Sequence, residues 1–215
     1  MSISTPLTVP DAILLRRSVK SFKPDPIPPE ILDQLVALTL AAPSSFNVQP
    51  WRIVLVEDPK QKEALAEVSW KQKQVAQAPV VFVFAVDLKA WAKTFPATIA
   101  EARRLDAWPE RAADYFAKAV PDFHTGLRNS GLDREYAMKD ALIAATHTAL
   151  AAESLGLGSC YMNGWSEEGV KKVIGAADNP DIAIALLLPV GYPAEVPKFS
   201  GRLAPEVTVF KNRLG

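Results

Sequence analysis

The sequence predicts an α+β fold, with helices packed around a central mixed β-sheet, on three observations. Three nearly continuous apolar runs, "RIVLVED" (Arg52–Asp58), "VVFVFAVD" (Val80–Asp87) and "IAIALLLPVGY" (Ile182–Tyr192), have the character of strands covered on both faces. Segments of helical periodicity lie before, between and after them. The elements follow one another without regular strand–helix–strand alternation, which argues against a doubly wound sheet.

The elements read in order as follows. Asp11–Arg17 is a short helix entered through Pro10, and "PDPIPPE" breaks the chain after it. Pro29 starts a second helix, in which Ile31, Leu35 and Leu38 recur at the spacing of one buried stripe. "APSSFNVQPW" is a loop, because prolines, serines and an asparagine crowd between that helix and the first strand. Pro59–Gln77 reads as one helix between the first two strands. From Leu88 to Arg134, charges interleave with Trp91, Phe95, Trp108, Tyr115, Phe116 and Phe123, the texture of a helical excursion or lid. Arg134–Gly156 is the longest helix, apolar enough to be central and stopped by a left-handed glycine at Gly156. "SEEGVKKVIG" is a short helix, and "EVTVF" (Glu206–Phe210) a last edge strand.

Composition bounds the function. A chain of 215 residues, 49% hydrophobic and 22% charged, holds one domain (1–215) with a substantial core and the excursion 88–134. Lysines plus arginines number 24 and acids 24, so no global field draws in nucleic acid or an anionic membrane, and any anion site is local. One cysteine, Cys160, excludes an intrachain disulfide and fits a reducing compartment. "MSISTPLTVPD" lacks the basic start and apolar core of a secretory signal, and no apolar run is long enough to span a bilayer. The expectation is a cytoplasmic protein bound to neither membrane nor nucleic acid.

Several patterns fail as sites. "GLGS" follows a helix and lacks the third glycine of a dinucleotide loop. His124 and His147 are far apart, and His147 reads as a packed core histidine. No metal-ligating or serine-nucleophile motif is present, and Cys160 reads as a small apolar residue. The cluster "RRSVK" differs. Arg16, Arg17 and Ser18 offer guanidinium forks and a hydroxyl at a helix exit, the donors a phosphate needs, and Lys20 is spaced to reach a further part of the same ligand. Ser44, Ser45, Asn47 and Gln49 form a second polar set on the proline-bounded loop, and Lys198 with Arg202 a third basic element. Each alone also reads as ordinary surface.

Taken together, "RRSVKSF", "AAPSSFNVQPWRIVLVED", "GLGSCYMNGW" and "LLLPVGYPAEVPKFSGRLAPEV" resemble the nitroreductase family of FMN-dependent homodimeric enzymes, from about Ala12 onward. The resemblance implies a nitroreductase-like fold with a helical lid and a C-terminal arm, and two FMN sites in the subunit interface. It implies that Arg16 and Ser18 hold the FMN phosphate and ribityl chain, with Arg17 contributing main-chain or side-chain contacts. Lys20 would approach the pyrimidine edge, favouring the anionic reduced flavin. The neighbouring subunit would supply Pro43, Ser44, Ser45, Asn47 and Gln49 as a wall. Gly164, beside Met162 and Asn163, would offer its backbone N–H toward flavin N5, Lys71 and Lys73 would contact the flavin, and Ser200 with Arg202 would close the phosphate end. Family members often carry an acid where Asn163 stands, an asparagine where Lys71 stands and Lys-x-Arg where Ser200 to Arg202 stand. The implied activity is ping-pong hydride transfer from NADH or NADPH through FMN to nitroaromatics or quinones, with no side-chain catalytic acid or base. Alternatives are a non-catalytic flavin-binding or storage protein, and a specialised flavin enzyme such as a reductive dehalogenase or a flavin-destroying enzyme.

Overall fold

The computed structural model describes residues 6–214, so the reading of Met1–Thr5 as free of a leader lies outside the described residues. Helix α1 (Val9–Leu15) starts where the Thr8 hydroxyl accepts from the Asp11 backbone N–H, with Pro10 in its first turn. Helix α2 (Pro29–Leu40), strand β1 (Trp51–Val56), α3 (Pro59–Val68), α4 (Lys73–Gln77) and β2 (Val80–Asp87) follow. The excursion is helical: α5 (Ala90–Lys93), α6 (Phe95–Arg104) and α7 (Glu110–Asn129). Then come α8 (Asp133–Ser154), β3 (Gly158–Ser159), α9 (Glu167–Val173), β4 (Ile182–Gly191) and α10 (Pro205–Thr208).

The strands lie in the order β1-β2-β4-β3, and every ladder is antiparallel. The parallel pairing of the expected mixed sheet is confined, among the described residues, to the bridge between Ser18 and Ser159. Every residue of β2 is buried, as a central strand covered on both faces requires. Alternation sorts its side chains: Phe82, Phe84 and Val86 enter one core with α2 and α8, while Val81, Val83 and Ala85 enter another with α3, α4 and α9. Helix α8 meets the sheet through alanines, Ala137, Ala141, Ala144, Ala145, Ala149 and Ala152, whose small size lets the helix approach the phenylalanine layer. Where α2 crosses α8, the buried hydroxyls of Thr39 and Thr148 satisfy each other at 2.7 Å.

Three expectations change. The helix expected over Pro59–Gln77 is two, because the chain reverses at Trp70 (φ 57°) and Lys71 (φ 56°). The edge strand expected at Glu206–Phe210 is instead the short helix α10 followed by extended chain, with Val207 and Val209 exposed. Its β-branched residues have no strand beside them within one chain, and strand propensity without a partner does not form a strand. His147 is half-buried at a groove between α1, α2 and α8, and the histidine enclosed in a core is His124.

Candidate functional site

The basic cluster is fixed by the short strand behind it. As the chain leaves α1, Ser18 bridges to Ser159 and the Val19 N–H donates to the Ser159 carbonyl at 3.0 Å. Val19 points inward and is 3% exposed, which turns Ser18 and Lys20 outward. The seam is tight: a Cβ on Gly158 would lie 2.6 Å from the Val19 side chain and 2.8 Å from Pro193. The Arg16 guanidinium lies 5.6 Å from the Tyr161 ring centre, and its Nη1 is buried without a hydrogen-bond partner. Burial pushes the Glu153 carboxyl above its ordinary value, against the pull of Arg16 and Arg17.

Arg17 turns the other way. Its Nη1 donates to the carbonyls of Leu14, Leu15 and Arg16 at 2.8, 2.9 and 2.9 Å, closing the end of α1. Its guanidinium also covers the Phe199 ring at 4.9 Å, and Arg202 covers the same ring at 5.2 Å. Phe199 thereby brings Arg202 to the basic cluster, while Ser200 and Lys198 are exposed. Lys20 lays its Nζ 3.2 Å from the Sγ of buried Cys160.

The segment after β3 runs against the reversal at Trp70. Met162 is a core residue, 2% exposed, with its backbone paired to Leu187. Asn163 is exposed. A Cβ on Gly164 would fall 2.5 Å from the Trp70 ring, so a side chain there requires that exposed indole to shift. Gln72 Nε2 donates to the Gly164 carbonyl at 3.2 Å, and Gln72 Oε1 accepts from Gln74 Nε2 at 3.0 Å. Lys71 and Lys73 are exposed, and Lys71 pairs with Glu67 across 3.7 Å. The residues facing Gly164 are therefore Trp70 and Gln72, two positions that sequence reading did not single out. The available signal was the lone aromatic, Trp70, in a polar stretch.

The loop Pro43–Gln49 is built as a rigid polar turn. Ser44 Oγ accepts from the Gln49 N–H at 2.9 Å, and Asn47 Oδ1 accepts from Gln49 Nε2 at 3.0 Å. The Ser45 N–H donates to the Asp140 carboxylate at 3.2 Å, and burial pushes that carboxyl above its ordinary value. Phe46, Asn47 and Gln49 all have positive φ, at 52°, 56° and 51°. Pro43 is exposed at the loop entrance. Asp140 anchors this loop near the start of α8, whereas Glu153 faces the arginines near its end, about 20 Å away at roughly 1.5 Å per residue. One chain thus holds the two polar sets apart.

Among the described residues no group of three or more His, Cys, Asp or Glu is placed to hold a metal ion. Nor, among the described residues, is any helix long and apolar enough to cross a membrane.

The chain is 33% identical over 201 residues to an NADH dehydrogenase of Thermus thermophilus, covering 92% of this chain and 93% of that one. It is 29% identical over 203 residues to an FMN reductase (NADPH) of Bacillus subtilis, covering 94% and 72%. A structure from Exiguobacterium sibiricum solved in complex with FMN has the same fold, with a TM-score of 0.88, 21% identity and coverage of 98% and 100%. The sequence pattern of the family described as Nitroreductase matches residues 13–192, and the chain belongs to the nitroreductase family.

Proposed function

We propose that this chain is an FMN-dependent oxidoreductase that takes hydride from NADH or NADPH by a ping-pong mechanism and reduces nitroaromatics, quinones or similar small electron-poor acceptors. The observation that carries the reading is the buried, unpartnered Nη1 of Arg16. A charged donor out of water without an acceptor is costly, and a phosphate oxygen supplies the acceptor in the geometry a guanidinium suits. The residues around it fit a flavin mononucleotide. When bound, FMN supplies the hydride-accepting and hydride-donating centre, first for the nicotinamide and then for the acceptor.

The chain's own residues bind and orient. Arg16 and Ser18 would hold the phosphate end, and Arg17 fixes the helix exit that aims them. Arg202, stacked on Phe199, adds positive charge at the same end. Lys20 stands over Cys160, from where its ammonium would approach the pyrimidine edge. Gly164 would present its backbone N–H, while Gln72 holds the carbonyl of the following peptide unit. No side chain is assigned as catalytic acid or base. The excursion 88–134 covers the acceptor pocket of a single domain, 1–215.

The reading includes a homodimer. The loop Pro43–Gln49 is too far along α8 to join the arginines of its own chain, so a second subunit supplies it. An apolar groove lined by Leu7, Val9, Ala12, Leu38, Ala41 and His147, with exposed Ile13 and Leu14 beside it, is suited to burial against that subunit. The cytoplasm, which supplies both nicotinamides, is the expected location.

The test is anaerobic stopped-flow mixing of the FMN-reconstituted protein with NADH and with NADPH, alongside sedimentation. Bleaching of the flavin by either donor, on a dimer, is the expected result. Flavin that neither donor bleaches would reassign the chain to flavin binding without turnover, and failure to bind FMN would overturn the proposal.

A further inference from the structure

We propose that Phe46 is a positioning residue that clasps the Ser44–Gln49 loop to the lid helix α7, so that loop and lid move as one body over the acceptor. The proposal rests on the functional reading above, in which this loop walls the partner's flavin and the lid covers the acceptor.

Phe46 has φ 52°, a conformation that glycine or asparagine takes easily and a bulky aromatic residue does not. Backbone of this kind persists only where its surroundings over-determine it. Here they do so through the ring. The ring centre of Phe46 lies 5.8 Å from that of Phe116 and 5.7 Å from that of Phe123, in tilted and edge-to-face contact, and both partners belong to α7. Two residues on, Val48 is buried in the lid's own core with Ala113 and Val120 of the same helix. On its other side the loop is tied to α8 by Asp140.

Burial of the ring does not by itself explain the strain, because Phe46 remains 36% exposed. Its open side adjoins Phe123, which is also exposed, and in the functional reading above this aromatic edge is the one that faces the acceptor. A shift of α7 then carries the loop with it, and a planar acceptor pressing on the lid is resisted by the wall.

The experiment compares Phe46→Asn, which accepts the left-handed backbone without the ring, with Phe46→Tyr, which keeps the ring at the same backbone. Hydrogen exchange is read over residues 110–129 of the FMN-reconstituted protein, together with KM for benzoquinone, menadione and the nicotinamide donor. The Asn variant is expected to exchange about tenfold faster across α7. Its KM for the larger quinone should rise about fivefold more than for the smaller, with the donor KM within about twofold. The Tyr variant should match the parent in all of these. Unchanged α7 exchange in the Asn variant, or a Tyr variant that behaves like it, would overturn the clasp. Equal rises in all KM values would overturn its role toward the acceptor. A chain that takes up no FMN overturns the functional reading instead, and exchange on the flavin-free protein still decides the clasp.

Discussion

The central strands and the lid are both built around phenylalanines, yet they are held by different means. Phe82 and Phe84 sit in a strand with every residue buried, covered on one side by the alanines of α8 and on the other by a second apolar layer. Phe95, equally enclosed, belongs to a small cluster with Val48, Ala90, Ile99, Ala113 and Val120. That cluster is joined to the sheet by charges. Asp87, at the end of β2, accepts from the Lys89 N–H at 2.9 Å and from Lys93 Nζ at 3.0 Å, while Asp181 pairs with Lys89 and Arg128, each at 2.9 Å. A large two-sided core opens only when the whole domain opens. A small satellite core hung on ion pairs can open by itself, at a lower free energy.

The same substitution in the two places tests this difference. Phe84→Ala removes a side chain from the two-sided core and is expected to cost about 3–5 kcal/mol, lowering Tm of the whole chain by roughly 10 °C in calorimetry. Phe95→Ala empties a comparable volume, but its cost should fall on the lid. Exchange over residues 90–129 would accelerate, while the core strands keep their protection and Tm falls by less than half as much. Equal loss of protection in strands and lid would merge the two regions into one cooperative unit.

The tether itself is the next target. Asp87→Asn keeps the side-chain shape and removes the charge that holds Lys93, so α5 should loosen by about 1 kcal/mol. Faster exchange around Trp91 at unchanged Tm is the expected signature, and it should fade in high salt, which screens the parent's ion pairs as well.

The smallest effect is a pH dependence. His124 stacks on Trp91 at 6.0 Å, meets Phe123 and Tyr136 edge-on, and shares a small cavity with Asp87, Asp133 and Asp140. Burial lowers its pKa below the ordinary value. The open lid therefore binds a proton more readily than the closed one. Closure is favoured at pH values above the ordinary histidine value of about 6.5 and weakens as pH falls through it. Exchange of α7 should accelerate between about pH 7.5 and 5.5 beyond its intrinsic pH dependence. His124→Phe should abolish that excess, and an excess that persists in the variant would assign it to another group.

The sequence was most legible where structure depends on local pattern. Continuous apolar runs marked β1, β2 and β4, and the contiguous "RRSVK" marked the polar seat beside α1. It was least legible where a residue's direction depends on its surroundings. Arg17 donates to helix carbonyls because of how α1 ends, which spacing does not reveal. Lys71 and Lys73 stand where the resemblance implies flavin contacts, and the reversal at Trp70 and Lys71, which local pattern does not show, is what brings Gln72 to Gly164. The two-residue strand β3 is too short to show a period, and Glu206–Phe210 has the composition of a strand without a neighbour to pair with in its own chain.

The contact between Gly164 and Trp70 also bears on how this chain can change over evolutionary time. A residue at 164 that carries a Cβ would meet the indole at 2.5 Å, so the ring has to swing aside or shrink before that position can grow. Trp70 is 72% exposed, and solvent leaves it room to turn. The pair therefore has two routes of drift, a rotated tryptophan with a larger residue at 164 or a smaller residue at 70 first, and the second disturbs the glycine's surroundings least.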